Sequence, residues 1–61
     1  MCFFEEYPKN SGCFICVALN GQLFGFQKEQ NLVTELFYDD LPSARVACID
    51  EKTQWRKMQT A

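Results

Sequence analysis

Four cysteines and no histidine set the limits on chemistry in this 61-residue chain. Without His, Ser-His and Cys-His nucleophiles and His-based metal sites are excluded. Cys13-x-x-Cys16 raises zinc, and a tetrathiolate of Cys2, Cys13, Cys16 and Cys48 needs only four sulfurs brought together. The pair, however, lies in an apolar run without the flanking Gly or Pro of a knuckle turn, and residues three apart on a strand face opposite sides. An even number of cysteines in a secreted chain would suggest disulfides, but no export signal is apparent. We therefore expect no metal and no cofactor, with the four cysteines reduced and serving as small buried apolar side chains. A thioredoxin-type redox site is disfavoured as well, because that chemistry places its first Cys at a helix N-terminus and Cys13 begins a strand.

The carboxylates fall in adjacent pairs, Glu5-Glu6, Asp39-Asp40 and Asp50-Glu51. Neighbours in sequence seldom converge on one substrate atom, and helix capping accounts for Asp39-Asp40. Gly12, Gly21 and Gly25 are too scattered for a phosphate loop. A chain this short also rarely encloses a pocket, so no enzyme activity is expected. One binding cluster remains: Lys52, Trp55, Arg56 and Lys57 set three charges around an aromatic ring, which suits phosphates and a stacked base. Charge complementarity at a helix end, with Trp55 as a core anchor, explains the same residues. With six basic residues against eight acidic ones and a net charge of −2, nucleic acid is the secondary reading.

The candidate residues must be held by a single small domain, since a chain of this size buries only about 60% of its unfolded surface. Its apolar content is 48%, with six Phe, two Tyr and one Trp, which is more than a miniature core needs and points to association. Met1 is read as the start of a complete short frame. Behind it come Cys-Phe-Phe-Glu-Glu, with neither a basic start nor a long apolar run, and no stretch approaches the roughly 20 apolar residues of a membrane span. The expected location is cytoplasmic, without a membrane partner.

The strongest local signal is a β-hairpin over residues 13–27. Two apolar runs, 13–19 and 23–26, flank Asn20-Gly21, which suits the two positive φ angles of a type I′ turn. Phe14, Cys16 and Ala18 alternate with Ile15, Val17 and Leu19, so both faces of the first strand are apolar and need cover. Gly25 inside the second strand marks a bulge or a close approach by another backbone or an aromatic ring. Residues 32–38 read as a third strand, with a short helix as the competitor. Residues 1–12 form an N-terminal arm or a fourth, edge strand, anchored by Phe3, Phe4 or Tyr7. Asp40 as N-cap and Pro42 in the first turn start a C-terminal helix over about 41–57. Leu41, Ala44, Cys48, Trp55 and Met58 fall on one side of it, and Lys52, Arg56 and Lys57 near its end suit the macrodipole. The rival is a strand over 44–49, then a turn and a last strand over 54–58.

The fold class that results is α+β: a three-stranded antiparallel sheet packed by one C-terminal amphipathic helix, in a single domain over residues 13–61. Over residues 13–58 this layout resembles AP2-type and phage integrase arm-binding domains. Those domains read DNA with basic residues on the open sheet face, and here the strands and their loops carry Lys28 alone, so DNA binding does not carry over. With the helix on one face, Phe14, Cys16, Ala18, Phe24 and Phe26 are the candidate interaction residues on the other. The expected function is that of a small non-catalytic interaction or regulatory module, paired with a second copy as a homodimer or with a larger protein. Its size and style suit a phage or plasmid accessory protein.

Overall fold

The computed structural model describes residues 2–59, folded as β1 (Cys2–Glu6), β2 (Cys13–Val17), β3 (Leu23–Gln27), β4 (Leu32–Thr34), α1 (Leu41–Ile49) and β5 (Trp55–Lys57). The five strands form one antiparallel sheet in the order β1-β2-β3-β4-β5. The α+β class with a small antiparallel sheet and one helix is thus as expected, whereas five strands replace three or four. The helix is also an insertion between β4 and β5 rather than the end of the domain, so the layout of three strands and a terminal helix is not the one adopted.

The hairpin is present with a different turn. Ala18 N–H donates to the Gln22 carbonyl at 2.8 Å, Gly21 N–H donates to the Ala18 carbonyl at 2.9 Å, and Gly21 alone in the loop takes positive φ, +89°. The loop is therefore three residues, 19–21, closed by a left-handed glycine, and not a two-residue type I′ turn. Asn20 stays at negative φ because its Oδ1 accepts the Gln22 N–H at 3.0 Å, an Asx turn that competes with the left-handed conformation. Leu19, expected on a strand face, is consequently at the tip and fully exposed.

The third strand is shorter than its sequence suggests. Thr34 Oγ1 donates to the Leu36 carbonyl at 2.9 Å and accepts the Gly25 N–H at 3.0 Å, which turns the chain out of the sheet after Thr34. Leu36 and Phe37 are exposed in that excursion. The chain returns at Tyr38, which exchanges both backbone hydrogen bonds with Leu23 at 2.7 and 2.8 Å.

The helix begins where expected, with Asp40 as N-cap and Pro42 in its first turn. The Asp40 carboxylate accepts from Ser43 Oγ at 2.7 Å and makes no hydrogen bond to the helix backbone. It ends at Ile49 rather than near 57, and the cause is side-chain capture of backbone groups. Asp50 Oδ1 accepts the Lys52 N–H at 2.9 Å, the Asp50 carbonyl accepts the Thr53 N–H at 3.1 Å, and Thr53 Oγ1 donates to the Ala47 carbonyl at 2.8 Å. These bonds satisfy helix-end carbonyls and reverse the chain. Lys52, Arg56 and Lys57 therefore lie outside the helix, and its last turn carries no basic residue. Residues 55–57 become the last strand of the rival reading, paired with β4, while residues 44–49 are helical.

Register assigns the faces. Phe3 lies opposite Cys16, Phe14 opposite Phe26, Cys16 opposite Phe24, Phe26 opposite Val33 and Val33 opposite Arg56, so these residues share one face. Ile15 opposite Gly25, Cys13 opposite Gln27 and Thr34 opposite Trp55 define the other, on which α1 packs against β2 and β3. An irregularity at Phe4 shifts β1, so that Phe3 joins the first face and Glu5, opposite Ile15, the second.

Candidate interaction site: the open aromatic face

No helix covers the face that carries Phe3, Phe14, Phe24 and Phe26 among the described residues, and the side chains there cover one another. Phe3 stacks on Phe26 with centroids 6.0 Å apart and planes 9° from parallel, and it meets Phe14 at 5.3 Å. Across the sheet, Phe24 meets Phe37 edge-on at 5.6 Å. Between the two aromatic groups Cys16, Phe26 and Val33 form a buried cluster, with Phe14, Phe24 and Met58 packed around it. The alternation of β2 and β3 positions all of these, and β1 contributes Phe3 from the sheet edge. An open notch of about 320 Å³ lies beside the cluster, lined among others by Phe24, Val33, Phe37, Arg56 and Met58.

Of the five residues expected to form the interaction face, Phe14, Cys16, Phe24 and Phe26 share it, and Ala18 sits half-buried at the hairpin end. Cys16 and Phe26, at 0% and 7% exposure, are the floor of the face and not its contact surface. The exposed part is Phe3 at 50% and Phe37 at 46%, with Phe14 and Phe24 half-buried between. Phe37 was not singled out, although strand alternation groups it with Val33, which lies on this face, and Met58 was missed because helical spacing groups it with Trp55. In the strand register the two lie on opposite faces, since Trp55 belongs to the helix side and Met58 packs with the aromatic cluster.

The cysteines behave differently from the expectation of four reduced apolar side chains. Cys13 and Cys48 are joined by a disulfide with Cα atoms 6.0 Å apart, which ties the start of β2 to the end of α1. Cys16 is buried on the opposite side of the sheet from that bond, and the side chain of Cys2 lies outside the described structure. Among the described residues no group of three or more His, Cys, Asp or Glu is placed to hold a metal ion. Of the discounted four-cysteine set, Cys13 and Cys16 lie on opposite faces of β2 and Cys13 is bonded to Cys48, while the Cys2 side chain lies outside the described structure.

The basic cluster is divided as well. The Trp55 ring lies over Gly25, where a Cβ would stand 3.1 Å from Trp55 Cη2 and 3.0 Å from Thr34 Cγ2, so Gly25 does mark an aromatic close approach. Lys57 Nζ donates to the Gln30 carbonyl at 3.0 Å, Lys52 sits in the turn after α1, and Arg56 belongs to the aromatic face opposite Val33.

A second constellation was not read from the sequence. Arg45 on α1 makes two hydrogen bonds to Glu5 on β1, Nε to Oε2 at 2.7 Å and Nη2 to Oε1 at 3.0 Å, and its guanidinium stands 5.5 Å from the Tyr7 ring centroid. These hydrogen bonds hold the Glu5 carboxyl below its ordinary range and raise Arg45. A separation of 40 residues leaves no spacing signal for such a pair.

Comparison with protein-family models, with curated proteins and with solved structures finds no match. No helix among the described residues is long and apolar enough to cross a membrane.

Proposed function

We propose that this chain is a non-catalytic interaction module whose aromatic sheet face binds a second copy of itself or a larger partner protein. The observation that carries the reading is the exposure of Phe3 and Phe37 at the two ends of a face whose centre is already packed. Apolar side chains gathered on one face of a small domain mark an interaction site more often than an accident of folding, and a self-complementary patch suits a twofold dimer. The module acts by occupancy, and no turnover is assigned to it.

Nucleic-acid binding through Lys52, Trp55, Arg56 and Lys57 has less support, because Trp55 packs on Gly25 and the charges lie on different faces. Cytoplasmic residence belongs to the same reading, and there the Cys13–Cys48 bond would be transient, since lasting disulfides are a feature of oxidising compartments.

Light scattering after size exclusion, over a dilution series of the wild type and of Phe37→Ser, tests the self-association form. A dimer that the substitution dissociates at least tenfold more readily supports it. A wild-type monomer at every concentration overturns the homodimer and leaves the larger partner. Phe37 is chosen because its half-exposed ring leaves the buried cluster intact.

A further inference from the structure

The side of the sheet under α1 is covered in another manner. Only Ala44 and Ala47 of the helix are buried, each with a single methyl group, while Val46 and Ile49 are more than half exposed. A nine-residue helix does not persist by itself in water. What fastens this one is a short set of bonds: Cys13–Cys48 near its C-terminal end, Arg45 to Glu5 at its middle, and the Thr53 hydroxyl on the Ala47 carbonyl. The chain on either side is independently anchored, at Tyr38 by its bridge to Leu23 and at Trp55 by its pairing with Thr34. Residues 39–54 are thus a strap whose two ends stay on the sheet whatever its middle does.

We propose that the Cys13–Cys48 bond is a redox latch on this strap: a dithiol reductant opens it and frees α1 from the sheet while the strands remain paired. Cys13 is 5% exposed and Cys48 half-buried, so attack is assigned to the Cys48 side of the bond, at its Sγ. A reductant thiolate attacks it, the Sγ–Sγ bond breaks, and Cys13 leaves as a thiolate that takes up a proton. The second reductant thiol then displaces Cys48 from the mixed disulfide. Two electrons and two protons have passed to the protein, and the reductant ends as a disulfide. Release uncovers Ile15, which is wholly buried in the latched form, and with it a second apolar face opposite the aromatic one. The latch is independent of the binding reading above, because it concerns the other side of the sheet.

Amide hydrogen exchange on the full chain, oxidised and then treated with dithiothreitol, tests it. Protection over residues 41–49 is expected to fall at least tenfold on reduction, with the amides of β2 and β3 unchanged, and Cys48→Ser without reductant is expected to match the reduced protein. Unchanged protection of 41–49 overturns the latch, and so does an equal loss in α1, β2 and β3, which would make the bond a general staple. Arg45→Ala in the oxidised protein is expected to keep α1 protected, and release there would place the hold in the ion pair instead.

Discussion

The two faces of this sheet are covered by opposite means. The aromatic face is packed by large side chains from the strands themselves, with Phe3 over Phe26 and Phe14 beside both. The other is covered by a short helix that offers two alanines and is fastened by named bonds, while the Trp55 ring of β5 lies over Gly25. Area holds the first face, and linkage holds the second. The buried ring, Phe26, lies on the first side, whereas the buried residues that the helix brings to the second are Ala44 and Ala47. The consequence is an asymmetry of response: the aromatic face should be sensitive to lost volume, and the helical face to lost ties and to added volume.

The sharpest way to break that contrast is Phe26→Ala. Phe26 is 7% exposed at the centre of the aromatic cluster, and removing a buried ring of this kind costs about 3–5 kcal/mol, enough to unfold so small a domain. Urea denaturation checks it, and a loss below about 1 kcal/mol would mean that the face is not a core. Gly25→Val comes next, on the other side. Even its Cβ would stand 3.0 Å from Thr34 Cγ2 and 3.1 Å from Trp55 Cη2, so the ring must move. Overpacking of this sort costs about 1–3 kcal/mol, and Trp55 fluorescence, Trp55 being the single tryptophan, should shift with it. An unshifted spectrum at full stability would show that the ring does not rest on Gly25.

The aromatic face was legible in the sequence because it is built by period-two alternation, which Phe14, Cys16, Phe24 and Phe26 display without help from distant residues. Gly25 was legible too, since a glycine in a strand interior reports a close neighbour, and Trp55 is that neighbour. The helix start was marked by Asp40 and Pro42, but its end was not. The groups that stop it, Asp50 and Thr53, act through side-chain hydrogen bonds to backbone that leave the 3.6-residue pattern undisturbed. The periodicity therefore continues to Trp55 and Met58, which the strand register then parts. The fastenings of the helical face were hidden for a different reason. Cys13 with Cys48 and Glu5 with Arg45 are partners 35 and 40 residues apart, brought together only once the sheet has formed.

The ion pair supplies the smallest test of the contrast. Arg45 and Glu5 are both partly open to solvent, so the pair is a modest tie. Hydrogen bonds from Arg45 nonetheless keep the Glu5 carboxyl below its ordinary value of 4.5. A folded-state value lower than the unfolded one adds stability that is fully present above pH 4.5 and is lost as pH falls through the folded value. Arg45 stays charged throughout that range, so Glu5 alone titrates. Glu5→Gln should therefore be slightly less stable than the wild type at neutral pH, and the two should converge as acid protonates Glu5. Thermal unfolding of both proteins between pH 7 and pH 3 would display the convergence. Parallel curves would show that the helical face does not depend on this tie, leaving Cys13–Cys48 and the packing of Ala44 and Ala47 to hold α1 down.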